Sequence, residues 1–446
     1  MTQQFAREDA VRATDVAALW ALAFAASALV GIHGLAYWDA GDYVRLALEG
    51  KMSGLLLGRP LFLLVSRLIL SAGVDPVSAE VVLRWFWTGV GAIAAPALAL
   101  LASRLGLPRR ASLATGIALA LSPSFAHSAH QVLTDAASLA MAICALLAAA
   151  SSRAMLAGIL IAIAILTRES AAAHLVAIAL LLNRRTPIAI AIASATILMA
   201  GTLFIYPPPA FDLWLGAMSV SIESHPITLW QIVAPFLWVL AAGPVPVVAG
   251  IVILVRRRDM WPMGRWPIVA VPAAIGTVLL LFYPDGSFSP RYMLATAPLA
   301  FFLPAAAWMA ARPRLMAVAF AVPLVLLFAL TQPARVLAAR GATLIDRVAP
   351  LPQNSLVVPG HYCPQARLGA TIHKRSDLTM MCPGWEWPVE PHTVLDAALA
   401  AGRPVAVDTA GDAWLVREVD YRDAIRAWAA KHQGRNEAGF LIVERK

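Results

Sequence analysis

The sequence contains few charged residues and few cysteines. Charged side chains make up 14% of the 446 residues and apolar ones 60%, whereas a soluble domain has about 25% charged residues. This shortage of charge excludes an ordinary soluble globular protein and predicts a chain that crosses a membrane several times. The three cysteines show no CxxC or Cys/His spacing, so the sequence lacks a cysteine-based metal motif.

Basic residues outnumber acidic ones, but they form no surface for nucleic acid. The net charge is +9, and no basic stripe interleaved with aromatic residues occurs. Most arginines instead fall between apolar runs, where positive charge sets the orientation of membrane spans. We therefore expect membrane lipids, and no nucleic acid, among the partners.

Apolar runs long enough to cross a bilayer recur along residues 16–331. Arginines cluster at every second joint between them, beginning with Arg104, Arg109 and Arg110. Because positive charge favours the cytoplasmic side, this alternation places the N terminus in the cytoplasm and the C-terminal region outside. For residues 1–332 we predict an all-α polytopic membrane bundle of about eleven transmembrane helices. The predicted spans are 16–36, 79–103, 111–126, 135–151, 154–167, 170–183, 186–206, 227–255, 267–283, 292–311 and 314–331.

Two neighbouring runs, 154–167 and 170–183, are shorter than a full span. Each has about 14 residues, or about 21 Å of helix, whereas the hydrocarbon core is about 30 Å thick. The sequence Thr-Arg-Glu-Ser at 167–170 lies between them. We predict a hairpin of two short helices whose polar turn lies below the membrane surface, inside the protein.

The C-terminal residues 333–446 contain no further span. Short apolar runs predict β strands, and two other runs predict helices. We expect a small extracytoplasmic α/β domain, in which Cys363 and Cys382 can form a disulfide, although two cysteines do not decide the pairing. The predicted strands are 355–359, 404–409 and 440–444, and the predicted helices are 393–401 and 421–432.

The outer segments carry most of the chemically interesting side chains. In the first outer segment, 37–78, Asp39 and Asp42 are three residues apart and would share one face of a helical turn. Aromatic residues flank them, as is typical of a membrane–water boundary. Two interpretations remain open from these residues alone: a catalytic carboxylate, or an interfacial loop with solvated acids.

Several short motifs follow one another along these outer segments. The first segment contains Asp39, Tyr43, Ala47 and Gly50 at set distances, and Arg59-Pro60 follows them. Further motifs are Ser122-Pro123 with Thr134-Asp135, Gly158 with the turn 167–169, and Arg291-Tyr292. In this order they resemble the GT-C superfamily of membrane glycosyltransferases, most of all the protein O-mannosyltransferase and lipid A aminoarabinose transferase group. One position departs from the pattern, because Ala40 stands where that group has a glutamate.

The resemblance implies an enzyme that takes a sugar from a polyprenyl-phosphate donor. The acceptor would be a lipid, glycan or protein outside the cytoplasmic membrane of a bacterium, and transfer would proceed with inversion. The main alternative is a transporter or flippase for a lipid-linked sugar, and another is a non-catalytic membrane subunit. The sequence shows no repeat between its halves and its acids collect in the loops of one side, which favours one-sided chemistry over alternating access.

Transfer needs a base for the acceptor hydroxyl and positive charge for the leaving phosphate. We predict Asp39 as the base and Asp135 as a second catalytic carboxylate, although Asp135 is also well placed to cap a helix. The phosphate candidates are Arg59, Arg168 and Arg291. For Arg59 and Arg291 an interfacial arginine is the simpler interpretation. For Arg168 the alternative is a simple pair with Glu169, but an ionisable group inside a short hairpin is a functional candidate by default. Further substrate-binding candidates are Asp42, Tyr43, His127, His130, Glu169 and Tyr292.

A metal site has only weak support in the sequence. His127, His130 and Asp135 form an H-x-x-H…D pattern that can ligate a divalent ion, but histidines at this spacing are more often ordinary polar residues. We therefore predict no certain cofactor and keep a divalent metal ion as an alternative.

Overall fold

The computed structural model describes most of the chain. The described residues are 10–30, 35, 38–51, 59–205, 233, 236–237, 239–256, 264–281, 290–309, 319, 322, 335–336, 338–382, 390–409 and 419–445. The N-terminal part is helical throughout these ranges, and all strands of the described residues lie beyond residue 350.

The N-terminal part begins with helices α1 (Ala13–Val30), α2 (Trp38–Glu49), α3 (Pro60–Leu70), α4 (Ala79–Ala92), α5 (Ala94–Arg104), α6 (Arg109–Ala120) and α7 (Pro123–Ala129). It continues with α8 (Thr134–Ala150), α9 (Ala154–Thr167), α10 (Leu175–Leu182), α11 (Arg185–Ile205), α12 (Pro244–Arg256), α13 (Pro267–Leu281) and α14 (Leu303–Met309). Short 3₁₀ helices occupy Glu169–His174 and Pro290–Ala295, and a π-helical turn occupies Pro298–Phe302.

The apolar helices are typical of an integral membrane protein, but several are shorter than the runs that predicted them. Among the described residues, two stretches are long and apolar enough to cross a membrane unaided, Pro76–Arg104 with 29 residues and Arg185–Ile205 with 21. The pair α7 and α8 would form one more span if it were straight, but it bends by 112°. The count of about eleven spans and their orientation stay predictions, and the run 314–331 lies outside the described residues except for 319 and 322.

The break between α6 and α7 has a local cause in the sequence. Pro123 starts α7 at its first turn, and the Ser122 side chain accepts a hydrogen bond from the Phe125 backbone N–H. Proline and serine favour these two positions because proline has no N–H to leave unpaired and serine supplies the missing acceptor. The predicted run 111–126 therefore divides into α6 and the start of a new helix.

The two short helical stretches of the predicted hairpin are confirmed, and the depth of its turn in the membrane stays a prediction. Helix α9 spans Ala154–Thr167, as expected, and Arg168 then adopts an extended conformation with φ −158° and ψ 126°. A 3₁₀ turn and the eight-residue α10 follow, and α10 ends where Asn183 takes a left-handed conformation. The polar residues Arg168 and Glu169 thus mark the turn, as predicted.

Helices α9 and α11 lie against each other at Gly158. A Cβ atom added there would overlap the Ser194 hydroxyl and the Ala191 carbonyl oxygen. Glycine is needed because small residues let helix backbones approach closely. The expected result for Gly158→Ala is a loss of about 1–3 kcal/mol of stability, since the helices must separate.

Gly201→Ala on α11 is the matched control for that variant. No atom lies within 4 Å of an added Cβ at this position. We therefore expect Gly201→Ala to be neutral or to gain up to about 1 kcal/mol from helix propensity. Thermal unfolding of both variants in the same detergent is the measurement, and equal transition temperatures would contradict the close approach.

The C-terminal domain, described over residues 338–445 with two gaps, is a five-stranded sheet covered by helices on both faces. Strands run in the order β2-β1-β3-β5-β4, with β1 parallel to β2 and β3, and β5 antiparallel to β3 and β4. The strands are β1 (Leu356–Val358), β2 (Thr379–Met380), β3 (Val405–Asp408), β4 (Arg435–Glu437) and β5 (Phe440–Val443). The helices are α15 (Cys363–Ile372), α16 (Pro391–Ala400) and α17 (Val419–Lys431), with residues 338–347 also helical.

Side chains of this sheet alternate between two cores. Leu356 and Val358 pack with α16 and α17 on one face, and Val357 packs with α15 on the other. The predicted α/β character and the three predicted strands are confirmed, whereas β2 and β4 are too short and polar to be predicted. Cys363, the first residue of α15, forms a disulfide with Cys382.

Candidate functional site

Helix α2 brings two predicted site residues onto one side of the molecule. Asp39 lies in its first turn and Tyr43 one turn later, so both point the same way. The helix ends at Glu49, where Gly50 takes a positive φ of 69°. Asp39 is half-buried and close enough to Tyr43 and Arg59 to interact electrostatically with both.

Tyr43 is fully buried and its hydroxyl accepts a hydrogen bond from Arg59 Nη1. Its ring lies 5.0 Å from the ring of Phe62 in α3. Burial raises the pKa of Tyr43 to about 12. The phenol therefore stays protonated near neutral pH, and it holds Arg59 in place rather than acting as a base.

Arg59 connects the first outer segment to the short hairpin. Its Nη2 lies 3.2 Å from Oε1 and 3.4 Å from Oε2 of Glu169, which follows Arg59 by 110 positions. The Glu169 side chain is 48% exposed, whereas that of Arg59 is only 13% exposed. Among the described residues, the buried Nε of Arg59 has no hydrogen-bond partner. This guanidinium thus keeps an unused donor inside the protein.

Arg168 and Asp135 form a second ion pair next to the first. Arg168 Nη1 lies 2.8 Å from Asp135 Oδ1, and both side chains are at least 97% buried. The same nitrogen lies 3.3 Å from the Thr134 hydroxyl. Asp135 Oδ2 has no hydrogen-bond partner among the described residues. The Asp135 carboxylate therefore forms an ion pair with Arg168. Helix α8 starts without a side-chain cap, so the capping interpretation of Asp135 is wrong.

A small cavity lies beside this pair, with free volume of about 10 Å³, enough for about one water molecule. His174 is buried here, and its Nε2 lies 2.8 Å from the Ala295 carbonyl oxygen. The sequence analysis did not predict Ser138, Ser170 or His174 as site residues. Of these three, only Ser138 could have been predicted, because it follows Asp135 by three residues and so lies on the same helix face. The polar residues lining the cavity are Asp135, Ser138, Arg168, Ser170 and His174.

Asp42 forms a buried ion pair on its own helix. It is buried, and its Oδ1 lies 2.8 Å from Nη2 and 3.0 Å from Nε of Arg45 on the same helix. Burial raises the pKa of the Asp42 carboxyl, with Arg45 partly opposing the effect. The i, i+3 spacing to Arg45 indicates this pair in the sequence. Asp42 therefore interacts with Arg45 on its own helix and, electrostatically, with Arg367 of the C-terminal domain.

The two predicted histidines do not join Asp135 in a metal site. Within the part of the chain that the structure describes, no three His, Cys, Asp or Glu side chains lie close enough to hold a metal ion. His130 is fully buried, its Nδ1 lies 3.0 Å from the Thr88 hydroxyl, and its ring meets that of Trp85 edge-on. His127 lies in α7, one turn from the bend.

Two further candidates are only partly described. Arg291 and Tyr292 belong to the 3₁₀ helix Pro290–Ala295, but their side chains lie outside the described residues. The next residues of that helix reach the cavity through Ala295. The structure thus brings the backbone of this motif to the candidate site without describing its side-chain contacts.

A buried arginine on α4, Arg84, has few polar partners to offset the burial of its charge. Arg84 is 7% exposed, and its Nε lies 3.4 Å from Oε1 of Glu80. Its Nη1 has no hydrogen-bond partner among the described residues. The sequence indicates this i, i+4 ion pair, but not its burial.

Taken together, three sequence-distant segments form one polar cluster, which we call the Asp39 cluster. It places the half-buried Asp39 carboxylate within electrostatic reach of Arg59 and holds a second guanidinium, that of Arg168, beside Asp135. This combination can accept a proton and bind an anion. Its described members are Asp39, Tyr43, Arg59, Thr134, Asp135, Arg168 and Glu169.

Solved structures with the same fold cover almost the whole chain. ArnT from Cupriavidus metallidurans bound to undecaprenyl phosphate matches with a TM-score of 0.62 at 14% identity, over 96% of this chain and 97% of ArnT. Its apo state gives a TM-score of 0.60 at 14% identity over the same shares. The arabinofuranosyltransferase AftD from Mycobacteria matches with a TM-score of 0.50 at 15% identity, over 90% of this chain and 36% of AftD. No protein-family model and no curated protein sequence matches this chain.

ArnT and AftD are GT-C glycosyltransferases. The likeness extends from the first helices to the C-terminal sheet, because it covers 96% of the chain. The resemblance noted in the outer motifs is therefore confirmed at the level of the fold, which this chain shares with ArnT.

Proposed function

We propose that the chain is a glycosyltransferase that moves one sugar from a polyprenyl-phosphate donor to an acceptor hydroxyl outside the cytoplasmic membrane. The observation that carries this proposal is the Asp39 cluster, which joins Asp39 and Arg59 of the first outer segment, Asp135 at the start of α8 and Arg168 of the short hairpin. A neighbour of the same fold, ArnT, was crystallised with undecaprenyl phosphate, and this supports a polyprenyl phosphate as the donor's carrier.

Asp39 is the proposed base. It would accept the proton of the acceptor hydroxyl as that oxygen forms a bond to the anomeric carbon of the sugar. The bond between the anomeric carbon and the phosphate oxygen breaks, and polyprenyl phosphate leaves with the electron pair. Attack from the side opposite the phosphate would invert the anomeric centre. Tyr43 is excluded as the base because its phenol stays protonated.

Arg59 is the proposed contact for the leaving phosphate. Its Nε is unused among the described residues, and its present partner Glu169 is half exposed, so a phosphate can replace that carboxylate at little cost. Arg168 is compensated by Asp135 in a buried pair and would contribute a fixed donor next to it. We therefore propose that these arginine side chains neutralise the phosphate.

The lipid tail needs an apolar surface that continues from the site. A groove of about 330 Å³ lies between α12 and α13. Helix α13 packs beside the candidate site, since a Cβ atom at Gly276 would meet Thr296 and Ala173. We propose this apolar groove as the place for part of a polyprenyl chain. Its lining residues are Leu254, Val271, Ala274, Ile275, Val278 and Leu279.

We also propose the orientation and location of the enzyme. The arginine pattern supports a cytoplasmic N terminus, and the Cys363–Cys382 disulfide supports an oxidising compartment for the C-terminal domain. A bacterial inner membrane with the active face outside fits both features. The sugar and the acceptor remain open.

The test uses the purified full chain in nanodiscs. Radiolabelled undecaprenyl phosphate should bind saturably, and binding should weaken about tenfold or more in Arg59→Gln, because a charge-assisted hydrogen bond is lost. A panel of undecaprenyl-phosphate monosaccharides, incubated with a bacterial envelope extract, should yield free undecaprenyl phosphate and a glycosylated acceptor in equal amounts. Movement of an intact sugar-lipid between leaflets without this release would contradict the proposal and favour a flippase.

A further inference from the structure

Helix α2 lies against the C-terminal domain on the side away from Arg59. The closest approach is at Gly41, two residues after Asp39, where an added Cβ atom would lie 3.2 Å from the Gln365 backbone nitrogen and from Pro364. Gly41 is buried. Backbone therefore meets backbone at the turn that carries the proposed base, and only glycine fits without displacing one of the two helices.

Two polar contacts flank this approach. Before α2, the Nε2 of the fully buried Gln365 donates a hydrogen bond of 3.2 Å to the Leu35 carbonyl oxygen. At the other end of α2, the Thr371 hydroxyl donates a hydrogen bond of 2.8 Å to Glu49 Oε1. Both donors belong to α15, one near its start and one near its end. Helix α15 thus contacts α2 along its length.

The second oxygen of Glu49 continues the contact along α2. Glu49 Oε2 lies 3.1 Å from Arg45 Nη1, and Arg45 also binds Asp42. These side chains form an ordered series from Thr371 back to the first turns of α2. Charge-assisted hydrogen bonds of this kind fix geometry more strongly than neutral ones.

Helix α15 is itself firmly attached to its domain. Its first residue, Cys363, is bonded to Cys382 directly after β2, and Ala366 packs in the core beneath the sheet. Its opposite face contributes Leu368 to the same apolar cluster as Tyr43 and Phe62. One helix therefore joins the sheet of the C-terminal domain to the residues that support the Asp39 cluster.

We propose that the C-terminal domain positions the catalytic base, with Gly41, Gln365 and Thr371 as positioning residues for Asp39. This inference rests on the proposed function. The domain would then be part of the catalytic unit, although the described residues of its sheet contribute no side chain to the cluster. The phosphate contact Arg59 lies before α3 and is held by Tyr43 and Glu169, so loosening α15 would displace the base relative to the donor.

We expect variants that loosen the contact between α15 and α2 to lower the turnover number and to leave donor binding unchanged. A misplacement of about 1 Å can cost about 100-fold in rate, and the neighbours of Gly41 must move by tenths of an ångström to admit a methyl group. We expect Gly41→Ala to lower kcat about tenfold or more. Helix propensity alone would stabilise α2 in this variant, so unwinding cannot explain a loss.

The experiment compares Gly41→Ala, Thr371→Val and Thr371→Ser in the full chain. Readouts are kcat in the transfer assay, the Kd for undecaprenyl phosphate, and hydrogen exchange of the backbone amides 38–49. Thr371→Val should lower kcat about threefold to tenfold and speed that exchange, because the hydrogen bond from α15 to Glu49 is lost. The Kd should stay unchanged within about twofold. Thr371→Ser keeps the hydroxyl and should restore both values. Thr393→Val, an exposed position of α16 in the same domain, is the control and should match the wild type.

Three results would overturn the inference. Unchanged kcat in both Gly41→Ala and Thr371→Val, with an active wild type, would show that α15 does not position the base. A uniform loss of active protein, with Kd and exchange of the C-terminal domain equally disturbed, would reduce the contact to a folding role. If the wild type binds undecaprenyl phosphate but transfers no sugar, the proposed function fails. Independently of that result, unchanged hydrogen exchange of the backbone amides 38–49 in Thr371→Val would show that α15 does not hold α2 in place.

Discussion

Replacing Asp39 with asparagine should abolish sugar transfer while leaving the protein inserted and folded. Asparagine keeps the size of the side chain but cannot accept the proton of the acceptor hydroxyl. Loss of a general base typically costs about 100-fold to 10,000-fold in rate. Binding of undecaprenyl phosphate should persist, because Arg59 and Arg168 are untouched. The measurement is kcat in the transfer assay, alongside the amount of protein in the membrane and the Kd for undecaprenyl phosphate.

Asp75→Asn is the matched control for this prediction. Asp75 lies in the same outer segment, is exposed, and makes no capping hydrogen bond at the start of its 3₁₀ turn. It should retain wild-type turnover. If Asp39→Asn transfers sugar as fast as Asp75→Asn, Asp39 is not the base, and Asp135 would be the next carboxylate to test.

Breaking the buried Arg168–Asp135 pair should destabilise the protein more than any surface substitution. In Arg168→Met, Asp135 keeps a buried negative charge without another hydrogen-bond partner among the described residues. Removing one partner of a buried pair typically costs about 3–5 kcal/mol. The double variant Asp135→Asn with Arg168→Met removes the stranded charge and should recover at least half of this loss. The free energy of unfolding in mixed micelles, measured for a double-mutant cycle, tests the prediction.

The pair Asp15–Arg109 provides the comparison. Its oxygens and nitrogens lie 2.7 and 2.9 Å apart, so its geometry is as good, but the Arg109 side chain is 29% exposed. Exposed pairs typically contribute about 1 kcal/mol or less, and Asp15→Asn should cost no more than that. Equal losses from Asp15→Asn and Arg168→Met, or strictly additive effects in the cycle, would show that burial does not govern the Arg168 pair.

The sequence predicted those features that depend on neighbours along the chain. The ends of α9 follow from an uninterrupted apolar run that stops at Arg168. The shared face of Asp39 and Tyr43 follows from helical spacing alone. The same reasoning predicted the strands around Val357, Val407 and Ile442, where apolar residues are continuous over a few positions.

Other features depend on partners far along the chain and could not be predicted. Arg59 meets Glu169 across 110 positions, and Gln365 meets Leu35 across 330. The sequence also gave no reason to expect α15, because Cys363–Ile372 mixes polar and apolar residues without a strong period.

The 112° bend between α7 and α8 has an electrostatic consequence. It makes the 17-residue α8 begin inside the protein, beside Arg168, instead of at a membrane surface. The aligned peptide dipoles of such a helix place about half a positive charge at its first turn, where the backbone N–H groups have no intrahelical acceptor. That partial charge is part of the backbone, so it neither titrates with pH nor depends on a side chain. The cluster thus contains a permanent positive element that no single substitution can remove.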